Sequence, residues 1–121
     1  MVQVLPIKSP KPAVELDSEF YPRMICVEMR AQCRYGFCYR DLTRLYYDPA
    51  GTVMVIFETG DAIVIHGRCL KPVWEALHSH RATLLREGTE AESDLRADGE
   101  PHIDGITVRL SDEWLPAPKN P

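Results

Sequence analysis

Long apolar runs are missing from this chain. None approaches the roughly 18 residues that a membrane-crossing helix requires. The opening residues, Met1-Val-Gln-Val-Leu-Pro-Ile-Lys, lack the charged head and long apolar centre of a secretory leader. These two absences set the expectation of a soluble, cytoplasmic protein with no membrane partner. A basic surplus is lacking as well. The formal net charge is −4, whereas a nucleic-acid-binding surface is built on excess Lys and Arg, so no nucleic-acid partner is expected.

Glycine is sparse, with seven residues in the chain. None opens a Gly-x-Gly-x-x-Gly run, and Gly60 and Gly67 merely flank an apolar segment. A glycine-rich phosphate loop is excluded on that spacing. The four cysteines, Cys26, Cys33, Cys38 and Cys69, form no Cys-x₂-Cys pair of the kind zinc favours. In a reducing compartment they read as free thiols packed as small hydrophobes.

The best metal-ligating pattern is His66-Gly-Arg-Cys69, with Cys33, Cys38, His78 and His80 as further donors. Core packing explains most of these positions, so no metal is expected. Cys69 beside His66 or His78 has the elements of a nucleophile and a base. Nothing local supplies the orienting group and oxyanion donors such a site needs. Of the carboxylates Asp48, Glu58 and Asp61, the first and last occupy turn positions. No catalytic residue and no cofactor is assigned.

What is present suits one domain of 121 residues, 45% of them hydrophobic. Charge is unevenly spread. Residues 24–86 carry eight basic and six acidic side chains; residues 87–113 carry two basic and nine acidic. Four prolines interrupt residues 1–23, which read as an extended arm, with Val2, Val4 and Ile7 as a short edge strand. Ile25, Val27, Met29, Ala31 and Cys33 alternate with polar positions and predict a half-buried strand. Arg34-Tyr35-Gly36 reads as a turn, and extended chain follows from Phe37 to Tyr47. Asp48-Pro49-Ala50-Gly51 has the residues a type I turn wants at its first, second and fourth positions. The β-branched run at 52–58 predicts a strand covered on both sides, Thr59-Gly60-Asp61 a tight turn, and residues 62–66 the strand that closes a hairpin.

Pro72 suits a first helical turn. Trp74, Leu77, Arg81 and Leu85 recur at helical spacing, with Val73 and Leu84 widening the stripe. One helix over residues 72–87, stopped by Gly88, is the expectation. Residues 89–102 are acidic and poor in apolar groups, and read as a solvated linker. Ile106, Val108 and Leu110 mark a final strand within 103–121, before a Pro-rich tail.

Tyr39-Arg-Asp-Leu-Thr-Arg-Leu-Tyr-Tyr, the hairpin, and Ile65-His-Gly-Arg-x-Leu-x-Pro before Trp74-Glu-Ala-Leu resemble the strand–strand–strand–helix end of bacterial pleckstrin-homology-like domains. The same segment is similar to small bacterial proteins with an Ile-x-Gly-Arg-x-Leu-x-Pro stretch ahead of a helix. The resemblance covers residues 37–87. It implies a shape and no site, because such domains share architecture more than function.

The expected fold is therefore α+β: a curved antiparallel sheet or partly open barrel of five to six strands, packed on one C-terminal helix. The core spans residues 24–88. Its aromatic residues are expected to be mostly buried, with Tyr39 and Tyr46 showing at the surface as interaction residues. The expected function is a non-enzymatic module for protein interaction or self-association, with a protein partner or a second copy meeting an exposed sheet edge or a Pro-rich arm. The alternative is a small-ligand or anion site built from Gly67, Arg68 and Lys71 at the helix start, where backbone N–H groups and a guanidinium converge.

Overall fold

A computed structural model describes residues 10–17 and 22–111. Eight strands form two four-stranded sheets, and three short helical segments connect them. The first sheet contains β1 (Val14–Leu16), β2 (Met24–Glu28), β3 (Arg34–Cys38) and β7 (Ala82–Arg86), in the order β1-β7-β2-β3. The second contains β4 (Leu42–Asp48), β5 (Thr52–Phe57), β6 (Ala62–Arg68) and β8 (His102–Arg109), in the order β4-β5-β6-β8. Helix α1 (Lys71–His78) lies between β6 and β7, and α2 (Glu90–Leu95) lies between β7 and β8. A 3₁₀ turn, Tyr39–Asp41, carries the chain from one sheet to the other. The fold is thus mixed α and β as expected, with more strands than five or six, and the sheets do not close into a barrel.

The hairpin of the second sheet forms where its turns require. In the Asp48–Gly51 turn the Gly51 N–H donates to the Asp48 carbonyl at 2.9 Å, and the Ala50 N–H donates to the Asp48 carboxylate. Gly51 has φ +124°, which glycine reaches freely. A Cβ there would also stand 2.5 Å from the Gly67 carbonyl oxygen, so β6 can approach the turn only because the residue is glycine. Val53, Val55 and Phe57 of β5 are buried against Ile63 and Ile65 of β6, and the opposite face of β5 is half-buried. These side chains join Ile25, Val27 and Phe37 of the first sheet, Val73 and Leu77 of α1, and Ile103 of β8 in one core. Each fully buried aliphatic chain stabilises the fold by about 1.5–3 kcal/mol.

Three expectations are corrected. The predicted helix over 72–87 is half helix and half strand. Ser79 caps α1, its Oγ donating to the Glu75 carbonyl at 2.8 Å, and His80 takes a left-handed backbone at φ 57°. The chain then reverses into β7, where Leu84 and Leu85 pair in parallel with Cys26 and Val27. Leu77 and Leu85 are both fully buried, as the stripe required, but from two different elements. Secondly, the turn expected at residues 34–36 sits earlier. Met29 N–H bonds the Cys33 carbonyl and Gln32 adopts φ 65°, leaving Arg34–Cys38 to form a strand against β2.

Thirdly, the acidic stretch read as a linker carries α2, opened by a capping box. Thr89 Oγ1 accepts from the Glu92 N–H, and the Glu92 carboxylate accepts from the Thr89 N–H, each at 3.1 Å. Arg96 and His102 at the end of this stretch are buried.

The final strand forms over His102–Arg109, one residue earlier than expected and ending before Leu110, antiparallel to β6. Part of the N-terminal arm joins the first sheet as β1, with Ala13 buried. The edge strand expected from Val2, Val4 and Ile7 and the Pro-rich tail lie outside the described residues.

Candidate functional site

Two places were singled out by the sequence, and the structure treats them differently. Gly67 and Arg68 end β6, and Lys71 begins α1. Gly67 is held by close packing. Its N–H donates to the Gly51 carbonyl at 3.1 Å, and a Cβ on it would lie 2.0 Å from the His102 carbonyl oxygen. The Arg68 guanidinium points to α2, where Nη2 donates to the Ser93 carbonyl at 2.5 Å. Lys71 Nζ sits 3.9 Å from Glu75 one turn along α1. The depression beside Arg68 is also lined by Asp94, Asp98 and Glu100. Those carboxylates oppose a bound anion, and the guanidinium already has an acceptor. The three residues of the anion reading therefore do not converge.

The two tyrosines also part company. Tyr46 is 53% exposed on β4. Tyr39, expected at the surface, is 4% exposed, and its hydroxyl donates to the Ala82 carbonyl at 2.6 Å. Burial drives the Tyr39 pKa well above its ordinary value, and the hydrogen bond to Ala82 offsets only part of that rise. Its ring stacks on His80 at 4.7 Å.

The remaining chemical candidates are scattered. His66 Nδ1 lies 3.4 Å from Thr52 Oγ1, and the His78 ring stacks on Trp74 at 4.9 Å. Cys69 is exposed, in a left-handed backbone at φ 54°. All four cysteines are free thiols. Among the described residues no group of three or more His, Cys, Asp or Glu side chains is gathered to hold a metal ion.

A site the sequence did not point to lies where the two sheets meet. β3 is the edge strand of the first sheet, so one row of its backbone N–H and C=O groups has no ladder partner among the described residues. Beside that edge opens a mostly apolar pocket of about 320 Å³. Its floor is Phe37 of β3 and Phe57 of β5, whose rings stack at 4.9 Å and 12°. Met24 and Leu110, 50% and 38% exposed, form its walls. Gly36 keeps the strand edge low, since a Cβ there would stand 3.0 Å from the Met24 Cε.

The polar rim is acidic, from Asp41 and Asp61. The Asp61 carboxylate is fixed by Thr59 Oγ1 at 3.0 Å and by the Ser111 N–H at 2.7 Å. The sequence signal for this site was the glycine at position 36 between two aromatics, which the turn reading absorbed. No protein-family model matches this chain, and no curated protein or solved structure shows significant similarity to it.

Proposed function

We propose that the protein is a non-enzymatic interaction module that takes an extended, apolar segment of a protein partner along the free edge of β3. One observation carries the reading: a strand edge with no ladder partner among the described residues and an apolar pocket occupy the same place. Strand addition needs both. The edge supplies main-chain hydrogen bonds to an extended peptide, and a pocket beside it accepts alternate side chains. The Phe37–Phe57 floor suits one large aliphatic or aromatic side chain. The acidic rim favours a segment that also carries a Lys or Arg.

The test is selection of binding peptides from a random displayed library, followed by affinity measurement by fluorescence anisotropy. Apolar sequences with a basic flank are expected. The double variant Met24→Lys, Leu110→Asp should weaken the selected peptide by at least about tenfold, or ~1.4 kcal/mol. Both positions are exposed, so the variant is expected to melt like the parent. Light scattering on the free protein decides whether the partner is a second copy. Failure to select any peptide, together with the mass of one chain at every concentration, would sink the proposal.

A further inference from the structure

The side chain of Arg96 is fully buried, and its three nitrogens are spent on three separate parts of the chain. Nε donates to His102 Nδ1 at 2.7 Å, Nη1 lies 3.4 Å from the Glu100 carboxylate, and Nη2 donates to the Lys11 carbonyl at 2.9 Å. One guanidinium therefore holds the start of β8, the loop after α2 and the N-terminal arm together. His102 is itself fully buried, and its ring lies so close to Gly88 that a Cβ there would come within 2.5 Å of its Cε1.

The geometry fixes the protonation state. An arginine has only donors, so Nδ1 must be an acceptor, and the ring must be the neutral tautomer with its proton on Nε2. That Nε2 is buried with no hydrogen-bond partner among the described residues, its nearest carboxylate being Asp104 at 3.4 Å.

We propose that the Arg96–His102 hydrogen bond is an acid-sensitive latch. With His102 neutral, it holds residues 89–101 and 10–12 against β8; when Nδ1 takes a proton from solvent, it releases both. The new N–H would face the Arg96 N–H at hydrogen-bonding distance, donor against donor and cation against cation. A buried guanidinium whose Nε loses its acceptor and faces a second cation is destabilised even with Glu100 and Lys11 still in reach. It escapes by leaving the pocket, and it draws the Lys11 and Glu100 contacts with it.

The surroundings set the threshold. Burial disfavours imidazolium most. Arg96 opposes it next, and Arg68 on β6 also opposes it, while Asp104 on β8 and Glu92 on α2 favour it. The balance holds the His102 pKa below its ordinary value of 6.5, so the latch stays shut at neutral pH. By linkage, a depressed histidine contributes stability that is complete above pH 6.5 and is lost as pH falls through the folded-state value.

The test is amide hydrogen exchange of the intact chain, corrected for intrinsic rates, between about pH 7 and about pH 4.5. Residues 89–100 should lose protection across this range while β5 and β6 keep theirs. In His102→Gln the amide oxygen can still accept from Arg96 without titrating, so the acid-induced opening should vanish. Ring-proton NMR on the unmodified protein gives an independent reading should that variant fail to fold. His102 should titrate below the ordinary histidine value of 6.5, with the midpoint of the opening. The latch is wrong if this segment stays protected, if the Gln variant opens identically, or if the two midpoints differ.

Discussion

Glu87 shows how a single side chain can join distant parts of the chain. It follows β7, and its two carboxylate oxygens serve different elements. Oε1 accepts from the Arg30 N–H at 2.9 Å and from the Arg30 guanidinium at 3.3 Å, while Oε2 accepts from the Ile106 N–H at 2.6 Å. Burial alone would raise its pKa. The backbone donors of Arg30 and Ile106, with the Arg30 charge, outweigh that and hold the carboxyl below the ordinary 4.5. A depressed carboxylate contributes stability that is present above the unfolded-state value and is lost as pH falls through the folded one. Glu87→Gln should therefore cost about 1–3 kcal/mol near neutrality, because one charge-assisted acceptor disappears from a partly buried site. The cost should shrink as pH falls below 4.5. Urea denaturation across pH checks both parts, and a cost independent of pH would contradict the assignment.

At the scale of elements, what the sequence revealed and what it hid have identifiable causes. The hairpin of β5 and β6 was legible because Asp48-Pro49-Ala50-Gly51 and Thr59-Gly60-Asp61 specify turns locally, and the alternation between them is β-branched. The end of α1 was not. Trp74, Leu77 and Leu85 fit a helical stripe, but Leu85 is buried through β7, whose partners lie far away in sequence. No window around residue 80 contains β2, so only tertiary pairing could break the periodicity there. Helix α2 is a different case. Thr89-Glu90-Ala91-Glu92 is a capping box readable from sequence, and the acidic composition concealed it. Thr89→Ala removes the acceptor for the Glu92 N–H and should cost about 1 kcal/mol. Exchange protection lost within residues 90–96, with β5 unchanged, is the expected signature. Of the candidate site, the aromatics of β3 were visible, but the pocket between Phe37 and Phe57 was not, since it depends on how the two sheets meet.

For the whole molecule, the expectation of a sheet packed on a helix holds in outline, and the division into two sheets is the main addition. The first sheet depends on the arm. β1 covers one edge of β7, and Arg86 secures it through the Pro12 carbonyl at 2.9 Å and Glu15 at 3.5 Å. Deleting residues 1–17 would turn β7 into an open edge and uncover the site that Ala13 fills. The shortened chain should melt several degrees lower, since ~1 kcal/mol corresponds to roughly 4 °C or more in a domain of this size. It should also scatter more light with rising concentration. Unchanged melting would show that the arm is an appendage.

The parallel pairing of β2 with β7 also has a consequence in time. The strands of the second sheet's hairpin can meet as soon as both are made, because only tight turns separate them. β2 can pair with β3 at once, but its other edge must wait for Ala82–Arg86, so during synthesis Ile25 and Val27 have left the ribosome long before that cover exists. Folding should therefore begin in the middle of the chain, and its N-terminal strands should be the last to lock.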